Sequence, residues 1–128
     1  MDPFNQTTAR WPAAARARFD SLRAAILSAA HDASVGPVTE SLKWGQPAWR
    51  PATPRSGSTL RLNWSPEVPE VLTLYVDCKT DLAQRMVSLY PDLPNDGRRA
   101  LALPLEGPAV TEAVAHLAAM TFTYHRKA

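Results

Sequence analysis

Few residues of this chain are equipped for chemistry. There is one cysteine, Cys78, and there are three histidines, His31, His116 and His125. Cys78 stands just ahead of Thr80-Asp81, which reads as a helix start, and a helix N-terminus lowers a thiol pKa. A cysteine nucleophile also needs a base. No histidine has a spacing that signals a pair with it, so the expected role of Cys78 is that of a buried, structural thiol. Metal chemistry has no better footing. No two of Cys and His stand at ligand spacing, and no His-x-x-x-His or carboxylate cluster occurs. Phosphate-loop and dinucleotide fingerprints are absent as well. These residues specify no catalytic set, no metal ligand and no cofactor.

Binding chemistry is better represented. The stretch Glu40 to Arg50 packs two of the four tryptophans around Gly45 and Pro47. Trp44, Trp49 and Trp64 could wall a pocket, with Lys43 and Gln46 as its polar contacts, since ligand sites join apolar walls to a few placed polar groups. The same indoles could instead fill the core where helix meets sheet. Trp64 shares the parity of Leu60 and Leu62 and is assigned to the core. Trp44 and Trp49 stand open between the two roles. Gly45 and Pro47 need only a chain turn to explain them. A second group lies off the apolar parity: Arg61 and Tyr75, with Thr59, Asn63, Thr73 and Asp77, and Arg98 as a further candidate. This face could take an anion in the fork of a guanidinium. Its plainer role is a solvated sheet face, with cross-strand pairs such as Arg61 with Asp77 or Thr73. The candidate pocket is therefore Lys43, Trp44, Gln46, Trp49, Arg61, Tyr75 and Cys78.

These side chains need elements to position them. Pro12 suits a first helical turn, and the chain to His31 is rich in Ala, Arg and Leu. Phe19, Leu22, Ile26 and Leu27 give that helix one apolar stripe. Gly36-Pro37 stops it, and Val38 to Lys43 reads as a short second helical turn closed by Gly45. The period then changes to two. Pro47 to Arg50 is extended, Pro51 to Gly57 is loop, and Ser58 to Trp64 and Val71 to Asp77 are strands. Cys78 follows the parity of Leu72, which puts it inside. Thr80 is the expected N-cap of a helix lined by Leu82, Met86, Leu89 and Tyr90. Arg98 to Leu103 is a further strand, with Leu101 and Leu103 inward. A last helix runs from Gly107-Pro108 to about Arg126, with Arg126 and Lys127 suiting its negative pole. Short connections make the strands antiparallel. The expected fold is a single α+β domain: a twisted sheet of about four to five strands, with N- and C-terminal helices on one face.

The whole chain sets the outer bounds. Its 128 residues suit one domain, with residues 1–10 a flexible lead-in and 11–128 the folded unit. A 45% hydrophobic content is that of a globular chain. Fourteen Lys and Arg against twelve Asp and Glu leave a net charge of +2, without the basic stripe of a nucleic-acid binder. A single cysteine excludes an internal disulfide. No apolar run approaches the roughly 18 residues of a membrane span, and Met1 to Arg10 lacks a signal-peptide core, so a cytoplasmic protein is expected. Its expected partner is a small molecule or a protein, with nucleic acid disfavoured and no oligomeric state specified.

Several motifs occur in one order. They are Glu40-Ser41-Leu42-Lys43-Trp44-Gly45-Gln46-Pro47-Ala48-Trp49, then Leu74-Tyr75-Val76-Asp77-Cys78, then Leu89-Tyr90-Pro91, then Gly97-Arg98-Arg99, and finally Tyr124-His125-Arg126-Lys127. From about Arg16 onward the chain resembles the bacterial YdhG-type domain of unknown function. The resemblance implies a small cytoplasmic α+β domain with a twisted sheet backed by helices. One branch of that family is frataxin-like and is regarded as an intracellular iron chaperone, so iron is implied by resemblance alone. A surface iron site needs a ridge of carboxylates. Here the first helix sets Asp20 and Asp32 against Arg16, Arg18 and Arg23. The reading that results is a non-enzymatic module binding a small ligand or a partner, with the iron carrier as its alternative.

Overall fold

The computed structural model describes residues 2–126. Nine elements follow one another: α1 (Asn5–Thr8), α2 (Ala13–Asp32), β1 (Val38–Lys43), β2 (Gln46–Pro51), β3 (Leu60–Trp64), β4 (Val71–Tyr75), α3 (Leu82–Leu89), β5 (Ala100–Pro104) and α4 (Thr111–Phe122). The five strands form one antiparallel sheet in sequential order, β1 to β5. This is the expected α+β arrangement. Lys127, assigned above to the end of the last helix, lies outside the described residues.

Alternation decides which face is buried. Leu60 and Leu62 of β3, Leu72 and Leu74 of β4, and Leu101 and Leu103 of β5 are all buried and share one face. Phe19, Leu22 and Ile26 of α2 join them in one core, with Val114, Leu117 and Phe122 of α4. The two long helices pack on each other over this face. Leu27 and Leu89, expected in the helical stripes, are 36% and 49% exposed, because each stripe is narrower than its spacing allows.

Four expectations about the elements fail. Val38 to Lys43 is an edge strand and no helical turn. Its partner is β2 in full register, from Val38 opposite Pro51 to Lys43 opposite Gln46. The two-residue link is Trp44-Gly45, with φ of +56° and +73°. Both central residues at positive φ make a type I′ turn, whose twist matches that of paired strands. Residues 2–10 are not a loose lead-in: Phe4 is 1% exposed in the core and α1 follows it. Phe4 meets Phe19 and Trp49 edge-on, at centroid distances of 5.8 and 5.3 Å. Finally, α3 starts one residue late for Thr80 to be its N-cap. Asp81 holds that position, and Thr80 Oγ1 accepts a long 3.4 Å bond from the Leu82 N–H. The last helix is likewise shorter than expected, beginning at Thr111.

Candidate functional site

The second face of the sheet is polar, and its rows follow from the register. Ala48, Arg61, Tyr75 and Ala100 lie side by side across β2 to β5. Lys43 and Gln46 form the next row toward the β1–β2 turn. Arg61 is the centre of this face. Its guanidinium donates to Gln46 Oε1 at 2.8 Å and lies over the Tyr75 ring, 4.9 Å from the centroid. Arg61 therefore sits opposite Tyr75, not opposite Asp77 or Thr73. Burial lowers its pKa from the ordinary arginine value. The nearby Arg99 acts in the same sense and Tyr75 opposes it.

A cleft of about 330 Å³ opens beside this arginine. It is lined by Lys43, Trp44, Thr59, Arg61, Val76, Asp77, Cys78 and Arg99. The three cations reach it from three places: the end of β1, the start of β3 and the turn before β5. None of them pairs with a carboxylate among the described residues, where ion pairs join only Arg23 to Asp2 and Glu40, and Arg85 to Asp81. Asp77 is the sole carboxylate of the cleft, and its Oδ1 accepts the Lys79 N–H at 2.9 Å.

The presentation of Arg99 is built by Asp96. One carboxylate oxygen, Oδ1, accepts the N–H groups of Arg98, Arg99 and Ala100, each at 2.9 Å. Burial pushes the Asp96 carboxyl up, but the N–H groups of Arg99, Ala100 and Arg98 outweigh it and hold it below its ordinary range. Gly97, at φ +72°, supplies the left-handed step inside this turn. The chain is thus curled, not extended, ahead of β5. Strand parity ceases to apply, and Arg99 rather than Arg98 enters the cleft. Arg98 lines a smaller recess of about 190 Å³ with Cys78, Asp96 and Arg99.

Of the seven expected pocket residues, the structure gathers six on the polar face. Lys43, Trp44, Arg61 and Cys78 line the cleft, while Gln46 and Tyr75 hold Arg61 from the side and from below. Trp49 does not belong. It is fully buried on the opposite face, and its Nε1 donates to Glu40 Oε2 at 2.9 Å. Glu40 also takes both arms of Arg23 at 2.7 Å. Trp44, by contrast, is 90% exposed at the turn. Trp64 packs against the core from a partly buried position, its Nε1 donating to Pro69 O at 3.0 Å. Cys78 was expected inside and is exposed. The regular ladder ends at Tyr75, and the chain turns where Thr80 N bonds to Asp77 O at 3.0 Å, so parity no longer governs residue 78. Thr59 and Asp77, which alternation places on the face of Arg61, also line the cleft; Val76 and Arg99 are the cleft residues that alternation did not select. The turn spelling Asn95-Asp96-Gly97 was the available signal for Arg99.

Among the described residues, no group of three or more His, Cys, Asp or Glu side chains is placed to hold a metal ion, and no helix is long and apolar enough to cross a membrane. No protein-family model, curated protein or solved structure significantly matches the chain.

Proposed function

We propose that the chain is a non-enzymatic binding module whose ligand is a small anion-bearing molecule held in the polar-face cleft. One observation carries this reading: Lys43, Arg61 and Arg99 converge there with no carboxylate partner among the described residues. Three cations against the single carboxylate of Asp77 leave the cleft with an excess of positive charge, and an arriving anion relieves that repulsion. Arg61 is pre-positioned by Gln46 and Tyr75, so little side-chain freedom is lost on binding. The exposed, unpaired thiol of Cys78 suits a reducing cytoplasm.

The resemblance to the YdhG-type domain, a family of unknown function, names no ligand. Its frataxin-like branch suggests iron. Three cations in this cleft favour an anion over a hard cation. Anaerobic titration with ferrous iron tests the iron reading, and binding tighter than that of an unrelated protein would restore it.

Isothermal titration with inorganic phosphate and with citrate tests the anion reading. Wild type is expected to bind at least one of them. Arg61→Gln is expected to weaken that binding by about tenfold or more, the worth of one charge-assisted hydrogen bond. Equal affinity in the two proteins would remove the cleft as the site.

A further inference from the structure

The cleft contains two features that a plain anion site has no use for. The first is Trp44. It occupies the first central position of a type I′ turn, where Asn, Asp or Gly is the usual choice. A tryptophan there is held at φ +56° and keeps 90% of its surface exposed. Both conditions are unfavourable for the chain alone. They leave one indole free to stack at the rim of a cationic cleft. The second is Asp77. A carboxylate among three cations weakens the attraction for any anion. It becomes useful when the ligand also brings hydroxyl donors. Asp77 Oδ1 is engaged by the Lys79 N–H, which leaves Oδ2 to accept such a donor, with the Thr59 hydroxyl lining the same cleft.

On the reading that this cleft binds an anion, we infer that the ligand is a nucleoside monophosphate. Its base stacks on Trp44, its ribose hydroxyls bond to Asp77 and Thr59, and its phosphate lies among Lys43, Arg61 and Arg99. Aromatic stacking accepts any base, because every base has a π face. Pairing a carboxylate with ribose hydroxyls is a recurring way to recognise the sugar. The volume of about 330 Å³ stands at the small end of ligand sites, which run from about 300 to 1,000 Å³, so it suits one nucleotide better than two.

The test is isothermal titration of the full chain with the four common nucleoside monophosphates, ribose 5-phosphate, inorganic phosphate, citrate and a short single-stranded oligonucleotide. At least one monophosphate is expected to bind about tenfold more tightly than ribose 5-phosphate, the worth of one stacked base. Trp44→Ala is expected to erase that difference, and Trp44→Phe to restore most of it. Asp77→Asn is expected to weaken the monophosphate while leaving inorganic phosphate as tight as before or tighter. If ribose 5-phosphate or inorganic phosphate binds as well as every monophosphate, the inference fails and the anion reading stands. Citrate binding that depends on Arg61, with no phosphate ester bound, likewise overturns the inference and leaves the anion reading standing. An oligonucleotide bound far more tightly than any monophosphate also overturns the inference. If nothing in the panel binds, the anion reading itself is overturned.

Discussion

Arg23 of α2 ties the N-terminal segment to the edge strand β1. It donates to both oxygens of Glu40 and to Asp2, each at 2.7 Å, and its guanidinium lies 4.8 Å from the Phe4 ring centroid. Glu40 points into the apolar side of an edge strand, and this pairing makes that placement tolerable. The Arg23 hydrogen bond lowers the Glu40 pKa below 4.5; burial opposes the shift and the Trp49 N–H assists it. The Phe4 N–H and then Arg23 lower Asp2 in the same way. A carboxylate with a depressed folded pKa stabilises the fold above its unfolded pKa, and loses that contribution as pH falls through the folded value. Glu40→Gln is therefore expected to cost about 1–3 kcal/mol near pH 7, measured by urea unfolding. The gap between the two proteins is expected to narrow as pH falls below 4.5. A gap constant down to about pH 3 would show that the charge on Glu40 is not what the variant removes.

The β1–β2 hairpin is the element that joins stability to the proposed site. Its pairing is regular, and the two prolines of β2, Pro47 and Pro51, stand opposite Leu42 and Val38. The strained step is Trp44. Asparagine tolerates positive φ far better, so Trp44→Asn is expected to stabilise the protein by about 1 kcal/mol and raise its melting temperature. The same change is expected to remove the monophosphate preference. A variant that is both less stable and unchanged in binding would mean that the indole serves the fold and not a ligand. A gain in stability at the expense of binding is the behaviour expected of a position strained for function.

At the scale of the whole molecule, the two sheet faces divide the work. One carries the core and the helices, and the other carries the cations. The N-terminal segment belongs to the first. Phe4 is buried against Phe19 and Trp49, so Phe4→Ala is expected to destabilise the protein by about 3–5 kcal/mol, read from the urea midpoint. A loss below about 1 kcal/mol would return residues 2–10 to the status of a lead-in. The second face governs salt dependence. With a net charge of only +2 on the chain, three cations in one cleft are a local concentration of charge. Phosphate affinity is expected to fall as sodium chloride rises from about 0.05 to about 0.5 M, because partly exposed charges are screened.

What the amino-acid sequence determined by itself was the local periodicity. Leu60-Arg61-Leu62 and Leu72-Thr73-Leu74 announce half-buried strands because side chains alternate by geometry, and Phe19, Leu22 and Ile26 announce a helix for the same kind of reason. That sufficed for the α+β class and for placing Arg61 and Tyr75 on the polar face. Pairing was not legible. Val38 to Lys43 is a strand because β2 hydrogen-bonds to it, and six residues of mixed propensity do not declare that alone. Parity also misled wherever the ladder ends. Cys78 lies within the turn from Asp77 to Thr80, and Arg99 lies within the Asp96 loop, so neither obeys alternation. Trp44 and Trp49 show the limit most plainly. Neighbours in one motif, they lie at the turn and in the core, because only the tertiary structure sets Glu40, Arg23 and Phe4 around Trp49 and nothing comparable around Trp44.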